Sequence, residues 1–210
     1  KISYVDDHAS TRISLFYQGR RNGSYSYIYN GDLNNDGIAN DLLYIPASKD
    51  EMNFMEYKVG ETTYTVDQQK NAFWDFINQD PYLSKHKGEY AQAFSAFNPW
   101  YNTFDLRFTQ ELKLKVGKQV NRLQLNFDIL NFGNLINSKW GCSKYVTSAA
   151  IKPLVVDAKN RVDANNQPIY KLANYKDADG NVKLLDHTFD VTRNSNNCWR
   201  MQIGVKYIFN

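Results

Sequence analysis

The stretch 102–117, NTFDLRFTQELKLKVG, alternates strongly enough to dictate its own backbone. Phe104, Leu106, Phe108, Leu112, Leu114 and Val116 share one parity, while Asp105, Arg107, Thr109, Glu111, Lys113 and Lys115 share the other. Only Gln110 interrupts the apolar set. Successive side chains of a strand point to opposite faces, so the pattern predicts a long β-strand with one greasy and one charged face. A second run follows the polar turn at 117–121, with Leu123, Leu125, Phe127 and Ile129 opposed by Gln124, Asn126 and Asp128. The two runs read as a hairpin. The chain ends on the same pattern: Trp199, Met201, Ile203, Val205, Tyr207 and Phe209 against Arg200, Gln202, Gly204 and Lys206. A weaker run at 10–19 groups Ile13, Leu15 and Tyr17 and leaves Phe16 on the other face. Four long strands are therefore predicted, at 10–20, 101–117, 121–138 and 198–209.

Their connections are unequal. Short turns at 5–9 and 117–121 alternate with stretches of dozens of residues at 21–100 and 139–197. Within the first long stretch Thr65 and Gln68 form a capping box ahead of Val66, Phe73, Phe76 and Ile77, and Pro81 stops the predicted helix. Within the second, KDADGNVK at 176–183 reads as a hairpin turn. The aromatic content of 15%, led by 15 Tyr and 12 Phe, favours sheet. The 25 basic and 22 acidic side chains are scattered, so no nucleic-acid footprint shows. No run reaches the ~18–20 apolar residues of a membrane helix.

Long alternation with one apolar and one charged face has two physical solutions. A soluble sandwich turns the apolar face into its core, whereas an outer-membrane barrel turns it to lipid and its charges to a wet or plugged interior. Barrels pair short turns at one end with long loops at the other, and their strands need ~9–11 residues against ~5–6 in globular sheets. Both criteria favour the barrel. The expected fold class is all-β: antiparallel strands of a partial transmembrane β-barrel, about four of them long, with long extracellular loops containing a short helix. Tyr207 and Phe209 would then sit in one interfacial girdle and Trp199 in the opposite one.

Four stretches, GDLNNDGIANDLLYIP (31–46), FDLRFTQELKLKVGK (104–118), LQLNFDILNFGNLINSKWG (123–141) and the closing MQIGVKYIFN (201–210), resemble the C-terminal end of TonB-dependent outer-membrane transporters of Bacteroidetes, in the SusC and Oar-like group. The resemblance covers nearly all of 1–210 outside 143–197. It implies a 22-stranded barrel in the outer membrane with an N-terminal plug domain and a TonB box, importing a nutrient on energy from the TonB complex. No plug and no TonB box are present in this sequence, so the chain is expected to be the last portion of such a transporter. The remainder of the same transporter would be its partner. Family analogy points to oligosaccharide or peptide cargo and to a SusD-like lipoprotein as a further partner. The last strand of the family ends on the periplasmic side, which makes the loops 21–100 and 139–197 extracellular and the short turns periplasmic.

Few residues suggest chemistry. Asp32, Asn34, Asp36, the Ile38 carbonyl and Asn40 stand at positions 1, 3, 5, 7 and 9 of an EF-hand-like loop, with Gly37 at position 6. Position 12 is Leu43, and the nearest extra carboxylate is Asp41. The reading is either a calcium site pinning an extracellular loop or an Asn/Asp/Gly turn that needs no metal. Cys142 and Cys198 lie at the facing ends of two strands expected to pair, where a disulfide would staple the base of the second loop. Alternation assigns Arg107, Glu111, Asp128, Arg200 and Lys206 to the lumen. Among loop aromatics, Tyr27, Tyr29, Trp74 and Trp100 are candidate ligand contacts, set against ordinary packing. His8, His86 and His187 stand in turns or loops beside no nucleophile motif, and no catalytic role is expected. The rival reading is a soluble, calcium-stabilised β-sandwich that binds glycans, as an adhesin would.

Overall fold

The computed structural model describes residues 2–3, 8–116, 119–157, 161–192 and 194–209. Four long strands, Ala9–Arg21, Trp100–Val116, Gln119–Leu130 and Arg200–Ile208, join in one antiparallel sheet in that order. The two-residue strand Ile2–Ser3 flanks the first of them. Three of the four predicted strands fall within a few residues of these bounds. The turn expected at 5–9 lies outside the described residues up to position 7, as do positions 117 and 118 of the second turn.

The third strand departs from expectation, because it stops at Leu130 rather than running to 138. Asn131 adopts the left-handed conformation, with φ 53°, and the chain enters the short helix Phe132–Ile136. Asparagine tolerates that conformation better than most residues. Asp105 accepts the Asn131 backbone N–H at 2.8 Å, and Asn131 Nδ2 donates to the Gly141 carbonyl at 2.9 Å. Gly141, at φ +59°, has no room for a side chain: a Cβ there would lie 1.8 Å from Asn131 Oδ1. Asn134 continues the lock, donating to the Ser138 and Trp140 carbonyls and accepting the Trp199 N–H. The apolar letters after 130 thus belong to a polar-stitched turn.

The chain divides into two compact units: 1–21, 99–144 and 191–210 around the sheet, and 22–98 with 145–190. The two long "loops" of the sequence are therefore largely one folded body. Its core gathers Tyr25, Tyr27, Tyr29, Leu43, Ile45, Phe54, Phe73, Phe76, Ile77 and Leu83 from the first segment with Leu154, Tyr170, Leu172 and Leu185 from the second. The helix Val66–Gln79 forms as its sequence signals direct. Thr65 accepts the Gln68 N–H, Gln68 accepts the Thr65 N–H, and Phe73, Phe76 and Ile77 are buried. The hairpin at 176–183 forms too, as Asn174–Lys176 pairs with Val182–Leu184 and Asp177 accepts the Asp179 and Asn181 N–H groups.

Buried polar side chains bind the two segments together. Gln69, fully buried, donates to the carbonyls of Met55, Tyr64 and Thr65 and accepts the Leu172 N–H at 3.0 Å. Asp80 ends the helix and is also buried; its carboxylate accepts Tyr27 Oη at 2.5 Å, Thr188 Oγ1 at 2.7 Å and the backbone N–H groups of Tyr82 and Leu83. Each buried donor left without an acceptor costs about 1–3 kcal/mol. Asp80→Ala orphans several at once, so it should destabilise this unit by about 3 kcal/mol or more. Native-state hydrogen exchange checks this: protection at Leu43 and Leu172 should fall by at least about a hundredfold, and unchanged protection would remove Asp80 as the clasp.

Candidate functional site

The register of the sheet sorts its side chains into two surfaces. On one, Leu15, Leu106, Ile129 and Met201 form a row across the four strands, and Ile13, Phe108, Phe127 and Ile203 form the next. Thr11, Gln110, Leu125 and Val205 follow, then Ala9, Leu112, Leu123 and Tyr207. This surface is uncovered: Ile203 is 61% exposed and Val205 67%, with Ile13, Leu15, Leu112 and Met201 also exposed. Three pairs of polar side chains on it bond to each other. Thr11 donates to Gln110 at 2.6 Å, Tyr207 to Asn121 at 2.8 Å and Tyr17 to Asn102 at 2.8 Å. Aromatic residues bracket it, with Tyr17 against Phe104 and an exposed Trp199 at one end and Tyr207 against Phe209 at the other.

The opposite surface carries the charges. Arg107, Glu111, Asp128, Arg200 and Lys206 all fall on it, as alternation requires. Arg107 grips Asp128 across the hairpin through Nε at 2.5 Å and through its second nitrogen at 2.9 Å. Thr109 and Gln124 both donate to Asn126 Oδ1 at 2.9 Å. A groove of about 330 Å³ runs over this surface, lined by Arg12, Arg107, Asn126, Asp128 and Gln202 among others.

The four aromatic residues singled out in the sequence have different fates. Tyr27 is fully buried with its hydroxyl on Asp80, which takes it away from any ligand and makes it part of the clasp. Burial pushes its phenol far up, and that of Tyr25 up to about 12, so both stay neutral donors. Tyr29 is also buried, stacked on Tyr170 with centroids 5.4 Å apart. Trp74 is partly buried under the Lys87 ammonium, and Trp100 lies exposed in the sheet unit beneath Arg21.

In the 32–41 loop the side-chain oxygens turn inward. Asp32 accepts the N–H groups of Asn35, Asp36 and Gly37, Asn34 that of Asp36, Asp36 that of Ile38, and Asp41 those of Leu33 and Asn34. Asn40 donates its backbone N–H to the Ile38 carbonyl. Among the described residues no group of three His, Cys, Asp or Glu is gathered as metal ligands. Ionised carboxylates offer about four lone-pair sites, so Asp32, Asp36 and Asp41 all keep capacity for a cation. Cys142 and Cys198 are free thiols rather than the expected bridge. Burial pushes the Cys142 thiol up, and its Sγ faces the Ser138 carbonyl at 3.3 Å.

One site went unseen in the sequence. Within the body made of 22–98 and 145–190, a cleft of about 440 Å³ is lined by Tyr29, Tyr44, Tyr90 and Tyr170 together with Asp50, Glu51, Asp163 and Lys70. Tyr44 and Tyr90 meet at 5.2 Å between ring centroids because Tyr44–Ile45 pairs with Glu89–Tyr90. Glu51 accepts the Ala47 N–H at 2.8 Å and the Tyr44 hydroxyl at 3.3 Å. Asp163 accepts the Gln167 and Asn165 N–H groups and Asn53 Nδ2, which hold its carboxyl below the usual carboxylate range. No local motif announces the cleft, since its lining comes from both segments, as in the Asn53–Asp163 bond and the Tyr29–Tyr170 stack, each joining positions more than a hundred residues apart. Comparison with family models, with curated proteins and with solved structures finds no match.

Proposed function

We propose that this chain supplies the C-terminal strands of a TonB-dependent outer-membrane transporter and, from 22–98 and 145–190, most of an extracellular body. The observation that carries the reading is the uncovered apolar surface on which Thr11 with Gln110, Tyr17 with Asn102 and Tyr207 with Asn121 hydrogen-bond to one another. In hydrocarbon such pairing is obligatory, because no water is present to satisfy a stray amide or hydroxyl. In water the same surface is a liability. At about 1.5–3 kcal/mol per fully transferred side chain, leaving six of them half exposed forfeits on the order of 5–9 kcal/mol. That is the size of a domain's whole net stability, about 5–15 kcal/mol.

Two further features agree. From Trp199 to Phe209 the chain advances ten residues, ~33 Å at a strand's rise, and a tilt of ~40° reduces this to the ~25 Å apolar band of a barrel. The sheet is also open: among the described residues the outer edge of Arg200–Ile208 has no partner strand, and that of Ala9–Arg21 has one only at Ser10 and Thr11. Open edges of this length invite pairing, and the preceding strands of a barrel would provide it. The charged surface would face the lumen, with the remaining transporter, the TonB complex and a SusD-like lipoprotein as partners. Oligosaccharide or peptide would be the cargo, and no catalysis is assigned. A soluble β-sandwich would need a second sheet over the apolar surface. The other sheets among the described residues are ladders of two or three residues per strand.

Calcium belongs to the same proposal, held by Asp32, Asn34, Asp36, the Ile38 carbonyl, Asn40 and Asp41 at the modest affinity that suits an extracellular module. Two outcomes are expected. These residues should be recovered from the outer-membrane fraction in a detergent-requiring species that migrates differently before and after boiling; recovery as a water-soluble monomer would overturn the transporter reading. Calorimetric titration should show calcium uptake with a dissociation constant of about 0.1–1 mM, abolished by Asp32→Ala with Asp36→Ala. Absence of heat at millimolar calcium would leave the loop as a self-satisfied turn.

A further inference from the structure

We propose that the tyrosine cleft binds a basic side chain of a peptide, a lysine ammonium or an arginine guanidinium. Every lining residue belongs to 22–98 or 145–190, so the inference stands whether or not the sheet lies in a membrane. Its volume, about 440 Å³, falls within the ~300–1,000 Å³ of ordinary ligand sites.

Charge decides the ligand class. Asp50, Glu51 and Asp163 set three carboxylates against the single ammonium of Lys70. Tyr29, Tyr170 and Tyr44 add no charge, because burial pushes their phenols upward and keeps them protonated at neutral pH. Two of the acids are fixed before any ligand arrives, Glu51 by Ala47 and Tyr44 and Asp163 by Gln167, Asn165 and Asn53. Preorganised acceptors save the ordering cost that flexible ones pay on binding. Asp50 is exposed at the rim. The rings contribute in the same sense. Tyr90, 67% exposed, offers a face that a cation can approach, and Tyr44 lies beside it. A neutral sugar gains nothing from the excess negative charge, and an anionic ligand is repelled by it. A long side chain with an apolar stem and a cationic tip matches both the rings and the acids.

The test is a calorimetric titration of the full chain in detergent, at low salt, with tri-lysine, maltotriose and tri-glutamate as probes. Tri-lysine should bind and the other two should not, with affinity falling as salt screens the carboxylates. Asp50→Asn should weaken tri-lysine by about tenfold and Asp50→Lys should abolish it. Asp179→Lys makes the same charge change in the 176–183 hairpin, outside the cleft, and should leave binding within about twofold. If Asp50→Lys does not fold, Asp50→Asn decides. No heat from tri-lysine, equal binding of maltotriose, or equal weakening by Asp179→Lys and Asp50→Lys would each overturn the proposal, the last by showing a diffuse field rather than a site.

Discussion

An apolar surface four strands wide has to be covered by something, and that requirement governs the rest of this molecule. The sheet's hydrogen-bond register fixes which side chains lie there, since a slip of one residue would exchange Ile203 and Val205 for Gln202 and Gly204 or for Gly204 and Lys206. The register is in turn supported by cross-strand contacts on both surfaces. Phe108 meets Phe127 on the apolar side, and Arg107 grips Asp128 on the polar side. The same constraint explains why the intruding polar groups come in pairs. Gln110, which breaks the apolar run in the sequence, receives the Thr11 hydroxyl from the neighbouring strand. A lone glutamine there would be costly in lipid; a hydrogen-bonded one is tolerable.

The second unit depends on a different kind of interaction. Its small strands are two or three residues long, too short to hold a sheet together alone. Burial of tyrosine, phenylalanine and leucine from two distant segments supplies the cohesion, and buried polar side chains set the alignment. Gln69 reads the backbone of both segments, and Asp80 collects donors from Tyr27 and Thr188 while capping the chain after the helix. The carboxylate is tolerable in the interior because four donors surround it. The cleft lies in the same body, lined by four tyrosines and three acids, two of which backbone N–H groups hold in place.

Much of the sheet was legible in the sequence because alternation is a local signal. The helix after Thr65 and the hairpin at Asp177 were legible for the same reason, each announced by a cap or turn within four residues. What escaped was non-local or depended on backbone conformation. The run through 130–138 looked like strand because Phe132, Leu135 and Ile136 continue an apolar texture, yet the left-handed Asn131 and its clasp on Gly141 end it. The loops could not be recognised as one body, since the bonds joining them, such as Gln69 to Leu172, span a hundred residues. Tyr27 seemed available to a ligand because nothing nearby in sequence hints at Asp80. The acids of the cleft carry no spacing that would mark them.

In the transporter we propose, the two surfaces of the sheet meet different solvents, lipid on one side and water on the other. Spin labels placed one at a time at Met201, Gln202, Ile203, Gly204, Val205 and Lys206, in a background with Cys142 and Cys198 replaced by serine, report this directly once the protein is in bilayers. Collision with oxygen should dominate at 201, 203 and 205 and collision with a water-soluble nickel chelate at 202, 204 and 206, repeating every second residue. Nickel access at all six positions, or protection of the odd positions from both reagents, would show that the apolar surface faces water or a protein core, and would contradict the account.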